Sequence, residues 1–161
     1  MKRIVVSQRV DVLENRAEVR DALDQKLVQF FVEIGFLTYP VPNSLVELQN
    51  GELLKSWLQE IKPQAIVLSG GNNIGDFTSR DKTEDTLIRY ASNEKLPLLG
   101  ICRGMQMIAH YHGASLVPLT GHVRKRHRLD GEVSWEVNSF HDFAIESCPT
   151  SFKVFATCTT D

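Results

Sequence analysis

Short, nearly continuous apolar runs alternate along most of the chain with longer segments in which apolar residues recur at the helical period. The short runs predict buried strands at residues 4–6, 36–41, 65–68 and 96–101. The periodic segments predict amphipathic helices at residues 16–34, 52–61, 83–92 and 103–112. Strands without a polar face, each followed by a helix, are typical of an open, mostly parallel sheet with helices on both faces. We therefore expect an α/β fold with flavodoxin-like layers.

The pattern changes after Leu116, where shorter β-like runs at 133–137 and 152–156 predict a mixed tail. No internal repeat or low-complexity segment interrupts the sequence, and a length of 161 residues suits one domain. We therefore expect a single domain over residues 1–161.

The composition argues against nucleic-acid binding, membrane binding and a disulfide-stabilised fold. The net charge is −2 and 24% of the residues are charged, so no overall electrostatic attraction favours nucleic acid or a membrane surface. The three cysteines, Cys102, Cys148 and Cys158, are too few for a disulfide framework. The N-terminus lacks the apolar run of a signal peptide, and no stretch has the length of a membrane span. We expect a cytoplasmic protein with reduced thiols.

The candidate catalytic residues lie where two predicted strands end in glycine-containing turns. Ligands of open α/β sheets bind at the carboxyl ends of the strands, which points to Ser69-Gly70-Gly71 and to Gly100-Ile101-Cys102. Cys102 stands between Gly100 and Gly104 at a strand-to-helix junction, as in a nucleophile elbow. The helix N-terminus is expected to lower the pKa of its thiol. The alternative is a buried structural cysteine in an ordinary turn.

Three segments carry a family resemblance: 68–71 (LSGG), 99–106 (LGICRGMQ) and 137–141 (VNSFH). In this order and spacing they resemble the class I, triad-type glutamine amidotransferases, and more closely their γ-glutamyl hydrolase relatives, the peptidase C26 group. The resemblance covers essentially the whole chain.

The resemblance implies a role for each matching residue. Cys102 would be the nucleophile, and the backbone amides of Gly71 and Arg103 would form the oxyanion hole. The substrate's glutamyl group would be held by Gly70, Gln106, Ser139, Phe140 and His141. No cofactor is implied, and no metal is expected, because His110-x-His112 is isolated and no Cys-x-x-Cys occurs.

One part of the family pattern is not found. The family takes its general base and the acid that orients it from a late His-Pro-Glu-like motif, and no His-x-Glu occurs before Asp161. We expect either a chain truncated at its C-terminal end or a base supplied differently. Of the in-chain histidines, His141 is nearest to the site by analogy, although the resemblance assigns it to binding; the others are His110, His112, His122 and His127.

Two polar segments remain. The basic run 121–128 is most simply a solvated loop, and the sharper hypothesis is recognition of an anionic portion of the substrate, such as a phosphate or nucleotide. Residues 7–9 follow the first strand and would face the substrate, while Asp21, Asp24 and Gln25 would lie on a helix. These residues resemble a C26 subgroup among bacterial surface-polysaccharide enzymes that removes γ-glutamyl groups from an activated phosphoramidate.

The leading prediction is a γ-glutamyl amide hydrolase that works through a thioester on Cys102. Its partner would be a small-molecule γ-glutamyl substrate, with no nucleic acid and no membrane involved. Two other hypotheses stay open. One is a glutaminase subunit that supplies ammonia to a synthase partner, and the other is a non-catalytic module that binds γ-glutamyl groups. The expected protein partner is a synthase or a second copy of the chain in a homodimer.

Overall fold

The computed structural model describes residues 1–159 of the chain. Its helices are α1 (Gln25–Glu33), α2 (Glu52–Ile61), α3 (Thr78–Glu94) and α4 (Arg103–Tyr111). Its strands are β1 (Lys2–Val6), β2 (Arg9–Leu13), β3 (Glu18–Ala22), β4 (Phe36–Pro40), β5 (Ala65–Leu68), β6 (Leu98–Gly100), β7 (Leu116–Pro118), β8 (Val123–Gly131), β9 (Glu136–Phe140), β10 (Phe143–Ile145) and β11 (Ala156–Cys158). None of the helices in this part of the chain is long and apolar enough to cross a membrane.

The chain forms two compact units, of which the first comprises Met1–Met107. Its centre is a four-stranded parallel sheet in the order β4-β1-β5-β6. Apolar residues of β1 and β5 pack against Phe31 of α1, which explains why these strands have no polar face. The predicted α/β fold with a helix-flanked parallel sheet is confirmed.

The strand order places a topological switch point between β1 and β5. The chain leaves β1 towards β4 on one side, and β5 lies on the other side. Crevices at such points bind ligands at the carboxyl ends of the strands, here next to Ser7 and Ser69. The end of β6, which leads to Cys102, lies beside that of β5.

The second unit begins at Ile108. It contains an antiparallel pair, β7 with β10, and a three-stranded antiparallel sheet in the order β11-β8-β9. The sequence predicted β elements here but misplaced them. The basic run 121–128, interpreted as a loop, lies mostly in β8, because β9 pairs with it from Val123 to Arg128.

The predicted helix over 16–34 is wrong in its first half. Residues 9–13 and 18–22 form the hairpin β2–β3, which turns at Ala17 with φ +52°. Helix α1 begins only after Asp24, whose side chain accepts a hydrogen bond from the backbone N–H of Lys26 at 2.9 Å. Asp21 therefore lies on a strand, where it accepts hydrogen bonds from Asn43.

The predicted helix over 83–92 is also too short. Helix α3 begins at Thr78, so Arg80 and Asp81 belong to its first turns. A hydrophobicity pattern assigns polar residues to the protein surface. Arg80 and Glu84 are fully buried instead. Helices α2 and α4 and the four strands of the parallel sheet begin and end within a few residues of their predicted positions.

Candidate active site

Cys102 occupies a strained turn between β6 and α4. Its φ is +52°, in the left-handed region that residues with a side chain seldom adopt. Strand β6 ends at Gly100 and α4 begins at Arg103, so the junction has the sharp geometry expected of a nucleophile elbow. The turn leaves Cys102 accessible to solvent, although the surrounding atoms still partly desolvate its thiol.

The two glycines that flank the turn are sterically required. A Cβ atom on Gly104 would overlap the carbonyl of Leu68, the last residue of β5. A Cβ atom on Gly100 would lie 2.5 Å from the backbone nitrogen of Met105. The first turn of α4 can therefore lie directly against the ends of β5 and β6 only because both positions lack side chains.

The Ser69-Gly70-Gly71 turn lies beside Cys102. A Cβ atom on Gly70 would stand 3.6 Å from the Cβ of Cys102, and the N–H of Ile101 donates to the Leu68 carbonyl at 2.9 Å. Gly71 has a φ of +85° and packs against the side chain of Arg9. The sequence-predicted residues Gly70, Gly71, Cys102 and Arg103 are thus brought together in the first unit.

A buried guanidinium fixes the carbonyl groups of this turn. Arg80 is fully buried and donates to the carbonyl oxygens of Ser69 at 2.9 Å, of Gly70 at 3.0 Å and of Gly71. Its Nη1 also donates to Oδ1 of Asn72 at 3.0 Å. Because three successive carbonyls are held by one planar cation, the peptide planes of the turn have little freedom to rotate.

Glu84 connects this guanidinium to the start of α4. Its carboxylate lies 3.2 Å from Nε of Arg80 and forms an ion pair with Arg103. The carboxylate of Glu84 also accepts a hydrogen bond from the Ser7 hydroxyl at 2.8 Å. That hydroxyl in turn accepts a hydrogen bond from the backbone N–H of Ser69 at 2.9 Å. The buried charges of two arginines are compensated here by Glu84 together with Asp81, which pairs with Arg103.

Sequence reasoning missed this buried network. Arg80 and Glu84 stand four residues apart on a helix, a spacing that usually indicates an exposed ion pair. The sequence indicated a role for the backbone amide of Arg103 only. The structure shows that its side chain, which is 2% exposed, belongs to the buried network as well. One available signal was the low hydrophobic content of residues 78–84, a few positions after the glycine-containing turn at 69–71.

Burial dominates the ionisation of these groups. It raises the pKa of the Cys102 thiol, against the smaller lowering effects of the Arg103 backbone N–H and the Arg80 charge. The Arg103 backbone N–H, at the start of α4, lowers the thiol pKa as predicted, but the partial burial of the thiol outweighs this effect. Burial also lowers the pKa of Arg80 and of Arg103 to about 10 each, which leaves both charged at neutral pH.

The remaining residues predicted to hold the substrate lie in different elements. Gln106 is buried in α4, and its N–H donates to the Cys102 carbonyl at 3.1 Å. In the second unit, Ser139 is buried on β9 and its hydroxyl donates to the carbonyl of His122 at 2.7 Å. Phe140 is exposed beneath the guanidinium of Arg124, and Nδ1 of His141 lies 2.9 Å from the Phe143 carbonyl.

The basic residues on β8 differ in their surroundings. Arg126 pairs with Glu136 at 2.8 Å, and Arg128 donates to the Ser134 hydroxyl. Arg124 and Lys125 are exposed at the N-terminal end of the strand. In the first unit, Arg9 pairs with Asp11 at 2.9 Å.

The glutamine amidotransferase class-I family model matches residues 11–161, which include both strand-end turns and the Cys102 junction. The chain belongs to this family. The resemblance drawn from the three sequence segments is confirmed at that level. The matched residues contain β4, β5 and β6 of the parallel sheet and the Cys102 turn.

Two relatives of this amidotransferase domain are enzymes with different names and activities. The γ-glutamyl-CDP-amidate hydrolase of Campylobacter jejuni is 42% identical over 89 residues, which are 52% of this chain and 44% of the relative. A glutamine-hydrolysing GMP synthase of Campylobacter hominis is 30% identical over 114 residues, 63% of this chain and 21% of the relative. The chain thus spans less than half the length of either protein.

Solved structures share the fold of this amidotransferase domain. A candidate GMP synthase component from Thermoplasma acidophilum superposes with a TM-score of 0.70 at 24% identity, over 99% of this chain and 74% of the other. A glutamine amidotransferase from Thermotoga maritima gives 0.65 at 19% identity, over 92% and 64% of the two chains.

Proposed function

We propose that this domain hydrolyses a γ-glutamyl amide bond, with Cys102 as the nucleophile. The observation that carries the proposal is the strained Cys102 turn at the start of α4, packed beside Gly70 in the Ser69-Gly70-Gly71 turn. The 42% identity to a γ-glutamyl-CDP-amidate hydrolase supports a hydrolytic reaction.

In the proposed reaction, the Cys102 thiolate attacks the γ-carbonyl carbon and a carbon–sulfur bond forms. The resulting oxyanion accepts hydrogen bonds from the amides of Gly71 and Arg103. The carbon–nitrogen bond then breaks, and the leaving nitrogen takes a proton to depart as ammonia or an amine. Water hydrolyses the γ-glutamyl thioester, which releases glutamate and returns the thiol.

The buried network would act by positioning these groups. Arg80 holds the carbonyls of Ser69, Gly70 and Gly71, and Glu84 joins Arg80 to the side chain of Arg103. The amides proposed for the oxyanion hole therefore belong to two segments that one network connects. Such fixed donors need no reorganisation as the oxyanion forms.

The reaction needs a general base. Because burial raises the pKa of the Cys102 thiol, little thiolate forms spontaneously at neutral pH. The first unit contains no histidine in its sequence, since all five stand after Met107. We infer that the base comes from outside the first unit, and the family pattern favours a histidine on a later strand.

For the substrate, we propose a γ-glutamyl group joined through nitrogen to an anionic leaving group of the phosphoramidate type. The name of the Campylobacter jejuni relative describes such a compound. A phosphorylated γ-glutamyl amide should then be hydrolysed with a higher kcat/KM than glutamine, which steady-state kinetics with the two substrates would measure.

The test is glutamate release from a panel of γ-glutamyl amides, with Cys102→Ala and Cys148→Ala as the paired variants. The proposal predicts release that falls about 10³-fold or more in Cys102→Ala and is unaffected in Cys148→Ala. Release that survives in Cys102→Ala would contradict it. No release from folded protein would place the base outside these residues, which a chain extended to the relatives' length would then restore.

A second function is a glutaminase that supplies ammonia to a synthase. The similarity to GMP synthases, 30% identical over 63% of this chain, favours it. This function predicts that glutamine is the preferred substrate and that its hydrolysis accelerates when the synthase is added. Efficient hydrolysis of substituted γ-glutamyl amides without a partner would favour the first proposal.

A further inference from the structure

Three residues with metal-ligating side chains converge in the second unit. The ligand atoms of His122, His127 and Cys158 all lie within 4.8 Å of one another. The Cys158 sulfur is 3.1 Å from Nδ1 of His127, and the rings of His122 and His127 have centroids 5.2 Å apart. His122 is buried, and the other two are half-buried.

The backbone of the unit holds these residues in place. His127 lies in β8 opposite Val137 of β9, and Cys158 lies in β11, which pairs with β8 on its other edge. His122 directly precedes β8, and its carbonyl accepts the Ser139 hydroxyl at 2.7 Å. The three ligands therefore come from two segments, residues 122–127 at the start of β8 and Cys158 in β11, and strand pairing joins the two.

We propose that His122, His127 and Cys158 bind a zinc ion. Imidazole and thiolate are the ligands that zinc prefers, at about 2.0–2.3 Å, so that ligand atoms in a tetrahedral site stand about 3.5 Å apart. The observed spacing requires side-chain shifts of about 1 Å to reach that geometry. Binding would displace the proton that the thiol shares with His127, and the ion would take the place of this hydrogen bond.

His141 would complete or support the site. Its ring lies 5.1 Å from that of His122, and its Nδ1 is 2.9 Å from the carbonyl oxygen of Phe143. When Nδ1–H donates to this carbonyl, the lone pair of Nε2 stays available, which is the usual arrangement of a zinc-bound histidine. The fourth position is open to water, and Nε2 of His141 would reach it only after a further side-chain movement, because His141 is not in the group of ligand atoms within 4.8 Å of one another.

Local spacing could not predict this site. The candidate ligands stand at positions 122, 127 and 158, and only the pairing of β8 with β11 brings the cysteine to the histidines. The sequence expectation of no metal was drawn from short motifs, which do not include this combination. The proposal does not depend on the function proposed for Cys102.

The experiment is a zinc titration of the whole chain after chelator treatment, by calorimetry and by competition with a chromophoric chelator. We expect one zinc ion per chain, with affinity that rises with pH because the ligand is a thiolate. Cys158→Ser and His127→Gln should each weaken binding about 100-fold. Cys148→Ser and His110→Ala, which alter a cysteine and a histidine outside the cluster, should leave it unchanged.

Cobalt provides a second measurement that does not depend on stability. Co²⁺ bound at this site should show a thiolate charge-transfer band and the visible bands of tetrahedral coordination, both lost in Cys158→Ser. Circular dichroism would confirm that each variant is folded. Zinc binding that is absent, or that is equally strong in folded Cys158→Ser, would overturn the proposal. So would binding that depends on Cys148 or His110.

Discussion

At the scale of single residues, Gly104 marks the closest approach of α4 to the sheet, because any Cβ there would overlap the Leu68 carbonyl. We expect Gly104→Ala to destabilise the protein by about 2–3 kcal/mol through overpacking. Urea unfolding would measure the loss. The control is Gly35→Ala, where φ is +93° but the space is open, with an expected cost of about 1 kcal/mol. Equal costs at the two positions would contradict the steric account.

The Cys102 thiol gives a prediction about pH. Because burial raises its pKa, its alkylation rate should keep rising beyond the ordinary thiol value of about 8.5. The measurement is iodoacetamide labelling as a function of pH in a Cys148→Ser, Cys158→Ser background, with a short cysteine peptide as reference. A midpoint at or below that of the peptide would show that the helix N-terminus outweighs burial.

The local sequence was sufficient to predict the Cys102 turn but not the buried network of Arg80 and Glu84 behind it. The segment around Gly100, Cys102 and Gly104 was predictable because a strand, a strained turn and a helix follow one another within a few residues. Arg80 and Glu84 were not, since whether a helical ion pair is buried depends on what the fold packs over it. The same limit applies to the His127–Cys158 pair, which joins two strands distant in sequence.

At the scale of elements, α3 contributes the ionic group that links the two turns of the site. Glu84→Gln keeps the shape of the side chain but removes the charge facing Arg80 and Arg103, and we expect a loss of about 3–5 kcal/mol. Asp85→Asn is the matched control, because Asp85 pairs with Arg89 at the surface of the same helix and should cost no more than about 0.5 kcal/mol.

The two losses can be measured by urea unfolding. Trp57 on α2 reports on the first unit, and Trp135→Phe removes the fluorescence of the second. A Glu84→Gln loss as small as that of Asp85→Asn would mean that the buried network contributes little to the stability of the first unit.

The hairpin β2–β3 shows why element boundaries were harder to predict than element types. The apolar spacing at 19, 22–23 and 27 fits a helix as well as the observed strand followed by a helix. Strand pairing with β2 decides the outcome for residues 18–22, and the Asp24 cap decides where α1 begins. Neither effect is visible in the periodicity of one segment.

At the scale of the whole molecule, the class of fold followed from the alternation of apolar strands and amphipathic helices, and three short segments indicated the family. The second unit was less predictable. Its short strands contain many charged residues, and β8, from Val123 to Gly131, has the composition of a solvated loop. Its pairing with β9 and β11, which depends on distant residues, makes it a strand.

The central claim is that Cys102 is a nucleophile for γ-glutamyl groups, and covalent labelling tests it most directly. The chain would be treated with a chloroketone analogue of glutamine and the modified peptide identified by mass spectrometry. The account predicts one adduct, on Cys102, which excess glutamine suppresses and which Cys102→Ser abolishes. An adduct on Cys148 or Cys158 instead, or an unmodified Cys102 in folded protein, would contradict it.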